Sequence, residues 1–137
     1  RFGQAQDAVL DPRQGLLVAA YDPRGSRIHL FRSLDSGSGF SDQPVTLSRG
    51  TVALALVPLA GGPGFLFNEL STHRERPHQL SLLHPVSGGG YRKMILHRSP
   101  QPITEVQAVP VEGALLVAFL EESLRVLRVD YRALEER

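Results

Sequence analysis

The chain repeats one order of apolar runs and turn residues three times. In each repeat an apolar run ends in a proline, a glycine follows, and a second apolar run comes after the glycine. Short apolar runs separated by Gly and Pro are typical of β-strands joined by a turn. Each copy therefore predicts two strands, and the copies are residues 8–21, 54–67 and 106–119.

Further apolar runs extend these strand pairs. Third strands are predicted at 28–31, 79–83 and 124–129. The last of them alternates apolar with charged residues, which is the period of a half-buried strand. Fourth strands are predicted at 44–47 and 92–96. The third repeat has no such run, and the tail from 128 to 137 has the composition of a short helix without a capping residue.

The spacing of the repeats suits a propeller blade. Pro12 and Pro58 are 46 residues apart, and Pro58 and Pro110 are 52 apart, against roughly 40–50 residues for a four-stranded blade. The pattern predicts an all-β fold, an antiparallel β-propeller segment of about three four-stranded blades with the third incomplete. Blade 1 is expected at about 7–50, blade 2 at about 51–101 and blade 3 at about 102–137.

One turn between predicted third and fourth strands carries a motif. Residues 33–40 combine Ser33, Asp35, Gly37 and Phe40, and residues 84–91 repeat the pattern without its Ser and Asp. Asp35 can accept backbone N–H bonds in its own turn, and the glycines permit positive φ. The motif resembles the Asp-box of sialidase-type (BNR) β-propellers. In that family it is a structural turn away from the active site, so the resemblance implies a structural role here.

An open propeller segment needs something to complete it. Complete rings usually have about 4–8 blades. Either the remainder of a longer parent chain or a protein partner would supply the missing blades. A homodimer with six blades, the number in the sialidase family, is the alternative that closed symmetry favours. The side of residues 55–57 or the strand at 124–129 is expected to meet that partner, since open sheet edges invite pairing.

The amino-acid composition limits the classes of partner and chemistry that are expected. The net charge of +1 and the scattered arginines give no basic stripe for nucleic acid. The absence of cysteine excludes disulfides and thiolate chemistry, and no apolar run reaches the roughly 18 residues of a membrane span. The sequence calls for no cofactor. Composition does not fix the compartment; the Asp-box resemblance implies a secreted or extracytoplasmic location.

The candidate binding residues lie in loops predicted on one face. In a propeller the second-to-third-strand loops and the links between blades share a face, and loops on a rigid scaffold concentrate binding residues. Residues 68–78 form the longest and most polar of these loops, and 98–102 and 121–123 belong to the same face. The candidates are Arg24, Arg27, Glu69, His73, Arg74, Glu75, Arg76 and His78. A solvated, ion-paired surface loop is the alternative interpretation.

The histidines of this loop do not indicate a metal site. His73, Glu75 and His78 lack the helical spacing of a zinc hydrolase, and Pro77 argues against a helix, so no metal site is predicted.

Resemblance to sialidases implies an arginine cluster and a Tyr nucleophile. Arg24, Arg27, Arg74 and Glu69 are on the expected face, but the family's Phe/Tyr-Arg-Ile-Pro motif is absent, and none of Tyr21, Tyr91 and Tyr131 has a nucleophile's context.

The leading hypothesis is a non-catalytic β-propeller interaction module that binds a protein or a glycan and is a segment of a larger protein or assembly. One alternative is part of a sialidase-like propeller glycoside hydrolase. Another is a structural half-ring that completes a second subunit.

Overall fold

A computed structural model describes residues 4–11, 15–22, 27–33, 39, 41–46 and 54–135. These residues form strands and one short helix. In chain order the elements are β1 (Gln4–Asp11), β2 (Gly15–Asp22), β3 (Arg27–Ser33), β4 (Ser41–Thr46), β5 (Leu54–Leu59), β6 (Gly62–Leu70), β7 (His78–Pro85), β8 (Tyr91–Ser99), β9 (Ile103–Val111), β10 (Ala114–Glu121), β11 (Leu124–Asp130) and α1 (Tyr131–Glu135).

The strands form three antiparallel sheets, each built from neighbours in sequence. The first sheet has the order β1-β2-β3-β4, the second β5-β6-β7-β8 and the third β9-β10-β11. All pairings are antiparallel. The predicted all-β, antiparallel class is therefore confirmed. Within the described residues the third sheet has three strands where the others have four.

The second sheet lies between the other two and forms a core on both of its faces. On β5, Leu54 and Leu56 join a cluster with the first sheet, whereas Ala55 and Val57 join a cluster with the third. This division follows from the alternation of side chains along a strand. Because both faces are covered, every residue of β6 from Gly62 to Glu69 is buried.

These contacts bear on one expectation about association. Either the side of residues 55–57 or the strand at 124–129 was expected to meet another chain or another part of the parent protein. Ala55 and Leu56 are each 5% exposed and Val57 is fully buried. The first strands of the sheets account for this, since β5 contacts both β1 and β9. The side chains of residues 55–57 are thus covered within the chain itself.

Glycine determines two local features of the second sheet. In the hairpin between β7 and β8, Gly88, Gly89 and Gly90 have φ of 94°, 93° and 79°, a region that side chains other than glycine rarely occupy. In β6, a Cβ on Gly64 would lie 2.8 Å from Leu59 Cδ1 and 3.0 Å from the Leu83 carbonyl oxygen. The first feature reverses the chain, and the second allows close packing of the β5–β6 hairpin.

The tail packs back onto the sheets. The amide of Tyr131 donates to the carbonyl of Gly113 at 3.1 Å, which ties the start of α1 to the β9–β10 hairpin. Tyr131, Ala133 and Leu134 then pack against the cluster between the second and third sheets. The tail from 128 to 137 has the composition of a short helix, and the helix α1 begins there at Tyr131, after residues 128–130 complete β11. Among the described helical residues, none belongs to a helix long and apolar enough to cross a membrane.

Of the four residues on which the Asp-box resemblance rests, the structure describes Ser33 alone. Ser33 is the last residue of β3 and is 1% exposed, whereas Asp35, Gly37 and Phe40 lie outside the described residues. In the weaker copy, Tyr91 opens β8 and its ring lies 5.6 Å from that of Phe65. Burial raises the pKa of the Tyr91 phenol, and the nearby charge of Arg32 only partly offsets this effect.

Candidate functional site

Three segments of the chain meet in a polar cleft at one end of the second and third sheets. They are the β6–β7 loop, the link from β8 to β9 and the hairpin between β10 and β11. The cleft has a volume of about 350 Å³. It is lined by Arg76, His97, Arg98, Ser99, Pro100, Gln101, Glu121, Glu122, Ser123 and Arg125. We call this site the loop-face cleft.

Glu121 is at the centre of its hydrogen-bond network. One carboxylate oxygen, Oε2, lies 2.9 Å from Nε2 of His97, and the other, Oε1, lies 3.1 Å from Nε of Arg125. Ser99 also donates a hydrogen bond to this carboxylate. Burial alone would raise the pKa of Glu121, but the hydrogen bonds from Ser99 and His97 and the charges of His97 and Arg125 outweigh it. The pKa is therefore lowered.

This network joins two sheets. His97 belongs to β8 of the second sheet, and Glu121 ends β10 of the third. The ring of His97 also lies 5.1 Å from the ring of Phe119 on β10. An aromatic contact and a hydrogen bond from the same side chain fix the spacing of the two sheets at the floor of the cleft.

Arginines form the outer wall of the loop-face cleft. Arg76 and Arg98 are exposed, and neither pairs with a carboxylate among the described residues. Arg98 Nε donates to Gln79 Oε1 at a long 3.4 Å, so the rest of its guanidinium is available. Guanidinium groups bind carboxylates with paired N–H donors. The wall is therefore suited to an acidic group.

Hydrogen bonds within the β6–β7 loop hold Arg76 in place. The amide of Ser71 donates to the Pro77 carbonyl at 2.7 Å, and Ser71 Oγ donates to the Arg76 carbonyl at 3.1 Å. The amide of Arg76 donates to Nδ1 of His73 at 3.1 Å. Because Nδ1 accepts this bond, the neutral ring of His73 carries its proton on Nε2. His73 thus shapes the loop that presents Arg76.

Glu69 has a different environment from the one expected of a loop residue. It lies within β6 and is 2% exposed. Its Oε2 accepts hydrogen bonds from Gln79 Nε2 at 2.8 Å and Ser81 Oγ at 2.5 Å. Lys93 Nζ lies 3.2 Å from the same oxygen. Buried carboxylates need partners of this kind, so the contacts of Glu69 are those of a structural ion pair.

The remaining candidate residues are dispersed. Arg74 and Glu75 are exposed in the β6–β7 loop but do not line the cleft, and His78 opens β7 in a half-buried position. Arg27 opens β3, and nothing is described of its side chain; Arg24 lies outside the described residues. Of the eight candidates, only Arg76 lines the loop-face cleft.

The residues that build the cleft floor were not among the predicted site residues. The segments 98–102 and 121–123 were assigned to this face, but His97, Ser99, Glu121 and Arg125 were not named as site residues. His97 and Glu121 are 24 positions apart and on different sheets. They are close because the two sheets pack together, and no local sequence pattern predicts that packing.

Among the described residues, no group of three or more His, Asp or Glu side chains could hold a metal ion. Comparison with protein-family models, with curated proteins and with solved structures finds no match to this chain.

Proposed function

We propose that this chain is a non-catalytic segment of a β-propeller that binds an acidic group of a protein or glycan partner in the loop-face cleft. The observation that carries the proposal is the meeting of three separate loop segments in one arginine-lined cleft. Loops held on rigid strands are the usual place for binding residues. The described strands around the cleft supply such a scaffold.

Three arginines and two glutamates, Glu121 and Glu122, line the cleft, and this excess of positive charge favours an anionic ligand. Glu121 is already engaged by His97 and Arg125, whereas Arg76 and Arg98 have no carboxylate partner among the described residues. A ligand carboxylate would pair with these two guanidinium groups. The same chemistry would serve the side chain of an acidic peptide or an acidic sugar.

The positions of Tyr91 and Tyr131 support a binding role over a catalytic one. Tyr91 opens β8, whereas the cleft lies at the other end of that strand. Tyr131 follows the end of β11, and the cleft lies near the start of β11. A strand of this length spans more than about 20 Å. Neither tyrosine could act as a nucleophile on a ligand in the cleft.

The arrangement of the sheets supports the propeller part of the proposal. Each sheet is a succession of antiparallel neighbours, as a blade is. The first strand of the second sheet contacts the first strands of the other two. Blades around a common axis place their first strands side by side in this way.

A second candidate function is a structural half-ring that completes another subunit, and the edge of β11 favours it. No described strand pairs with the outer side of β11. Leu124 and Val126 on this strand are 66% and 59% exposed. An open edge with exposed apolar residues invites a further strand.

Titration with two acidic probes and a neutral one tests the binding proposal. We expect saturable calorimetric binding of a glutamate-rich peptide or of an oligosaccharide of glucuronic acid, and no binding of an oligosaccharide of N-acetylglucosamine. Arg98→Ala should weaken the binding by about tenfold or more, as loss of a charged hydrogen-bonding partner does. Arg128→Ala is the matched control, because Arg128 pairs with Asp130 outside the cleft.

Equal weakening by both substitutions would indicate non-specific attraction to positive charge and would contradict the proposal. Binding of the peptide alone or of the acidic oligosaccharide alone would identify the class of partner. Failure of both acidic probes to bind at any accessible concentration would overturn the assignment of the cleft.

A further inference from the structure

A second cavity lies at the opposite end of the sheets from the loop-face cleft. It has a volume of about 440 Å³, within the range of small-molecule sites. Its walls come from the β5–β6 hairpin, from the start of the β7–β8 hairpin and from α1. We call it the helix-side cavity. Because it shares no residue with the loop-face cleft, it is an independent site.

The wall of the helix-side cavity contains a buried imidazole that is incompletely hydrogen-bonded. His84 is 2% exposed, and its Nε2 has no hydrogen-bond partner in the part of the chain that the structure describes. Most buried polar atoms in proteins have a partner, and a buried atom without one destabilises the fold unless something supplies it. The cavity wall includes His84, so a ligand bound there would be placed to supply the missing partner of Nε2.

The rest of the wall determines which ligands fit. Leu59 and Leu134, together with Pro58 and Pro85, supply apolar contacts. Tyr131 adds an aromatic ring, and aromatic rings attract organic cations. Among the described residues that line the cavity, Glu135 alone has a formal charge at neutral pH when His84 is neutral. A negative group among apolar walls favours a cation over an anion.

From these features we propose that the helix-side cavity binds a small organic amine with an apolar or aromatic body. The ammonium group pairs with the Glu135 carboxylate and donates a hydrogen bond to the neutral Nε2 of His84. This bond requires the His84 proton to be on Nδ1. The body of the ligand fills the space between α1 and the two hairpins.

Three probes that share one carbon skeleton test this proposal. We expect 2-phenylethylamine to bind saturably in a calorimetric or NMR titration, 2-phenylethanol to bind more weakly and phenylacetate to bind weakest. The amine should be preferred over phenylacetate by about fivefold or more, since the exposed Glu135 attracts one and repels the other. The ¹⁵N shift of His84 Nε2 should change during the amine titration.

Two variants test the proposal without a substitution at the buried His84, which would risk impairing folding. Glu135→Gln, at an exposed position, should abolish the preference for the amine over the alcohol, whereas Glu105→Gln should not change it. Glu105 is exposed in β9 and lines neither cavity. In a His84→Leu variant that folds, the protein should bind the amine more weakly. Tighter binding of phenylacetate, an unchanged preference in Glu135→Gln, or no saturable binding of any probe would overturn the proposal.

Discussion

Nε2 of His97 lies 2.9 Å from Oε2 of Glu121, and this contact connects the second sheet to the third at the floor of the loop-face cleft. Arg125 and Ser99 contact the same carboxylate. The network gives the cleft a fixed floor beneath the exposed guanidinium groups of Arg76 and Arg98. The floor of the cleft and the contact between the two sheets therefore depend on the same glutamate.

Glu121→Gln should make stability less dependent on acid pH. The pKa of Glu121 is lowered in the folded protein, so its contribution is present above the pKa of a glutamate in the unfolded chain. That contribution is lost as the pH falls through the lower pKa of the folded state. At neutral pH the variant should be less stable by about 1 kcal/mol. Urea unfolding over a pH series measures the difference, and a gap that stays constant into strong acid would contradict the prediction.

The ion pair between Glu69 and Lys93 in the second sheet should respond unequally to loss of its two members. Glu69→Leu should cost about 2–3 kcal/mol, because it removes the acceptor shared by Gln79 and Ser81. Lys93→Met should cost less, about 1 kcal/mol, since the Lys93 side chain is 41% exposed. Denaturant unfolding of the two single variants and the double variant gives both costs. A larger loss in Lys93→Met than in Glu69→Leu would show that the charge pair outweighs the hydrogen bonds.

Two glycines of the β5–β6 hairpin should differ sharply in their tolerance of alanine. A Cβ at Gly64 would press on Leu59 Cδ1 and on the Leu83 carbonyl, whereas a Cβ at Gly61 would make ordinary contact with Pro85 at 3.5 Å. Gly64→Ala should destabilise by about 1–3 kcal/mol through overpacking, and Gly61→Ala should be near neutral. Thermal unfolding of both variants compares them directly. Similar melting temperatures would mean that the hairpin relaxes freely around Gly64.

These features show how far sequence reasoning reaches in this chain. Apolar runs and turn residues sufficed for the all-β class, because alternation and glycine act over a few residues. The polar composition of residues 68–78 suggested a loop throughout, yet β6 continues to Leu70. Partners from β7 and β8 satisfy the Glu69 carboxylate there. These partners lie at distant positions in the sequence, and so do His97 and Glu121 relative to each other. The local composition therefore does not predict such pairs.

The open side of β11 should cause the isolated chain to associate. Leu124 and Val126 are exposed on a strand that has no described partner on its outer side. Light scattering should therefore report species larger than the monomer at micromolar concentration. The double variant Leu124→Lys and Val126→Lys should shift the protein towards the monomer, because edge charges block strand pairing. A monomeric unsubstituted chain would remove the support for the half-ring function.

The most direct test of the proposed binding role is an amide chemical-shift titration of the chain with a glutamate-rich peptide and, separately, with an oligosaccharide of glucuronic acid. Binding in the loop-face cleft predicts saturable shifts at residues 76, 98, 99, 101 and 121–123 with at least one of these probes. The hairpin at 86–90, at the other end of the second sheet, should stay unchanged. Saturable shifts confined to other parts of the chain, or none with either probe, would contradict the assignment of this cleft as the binding site.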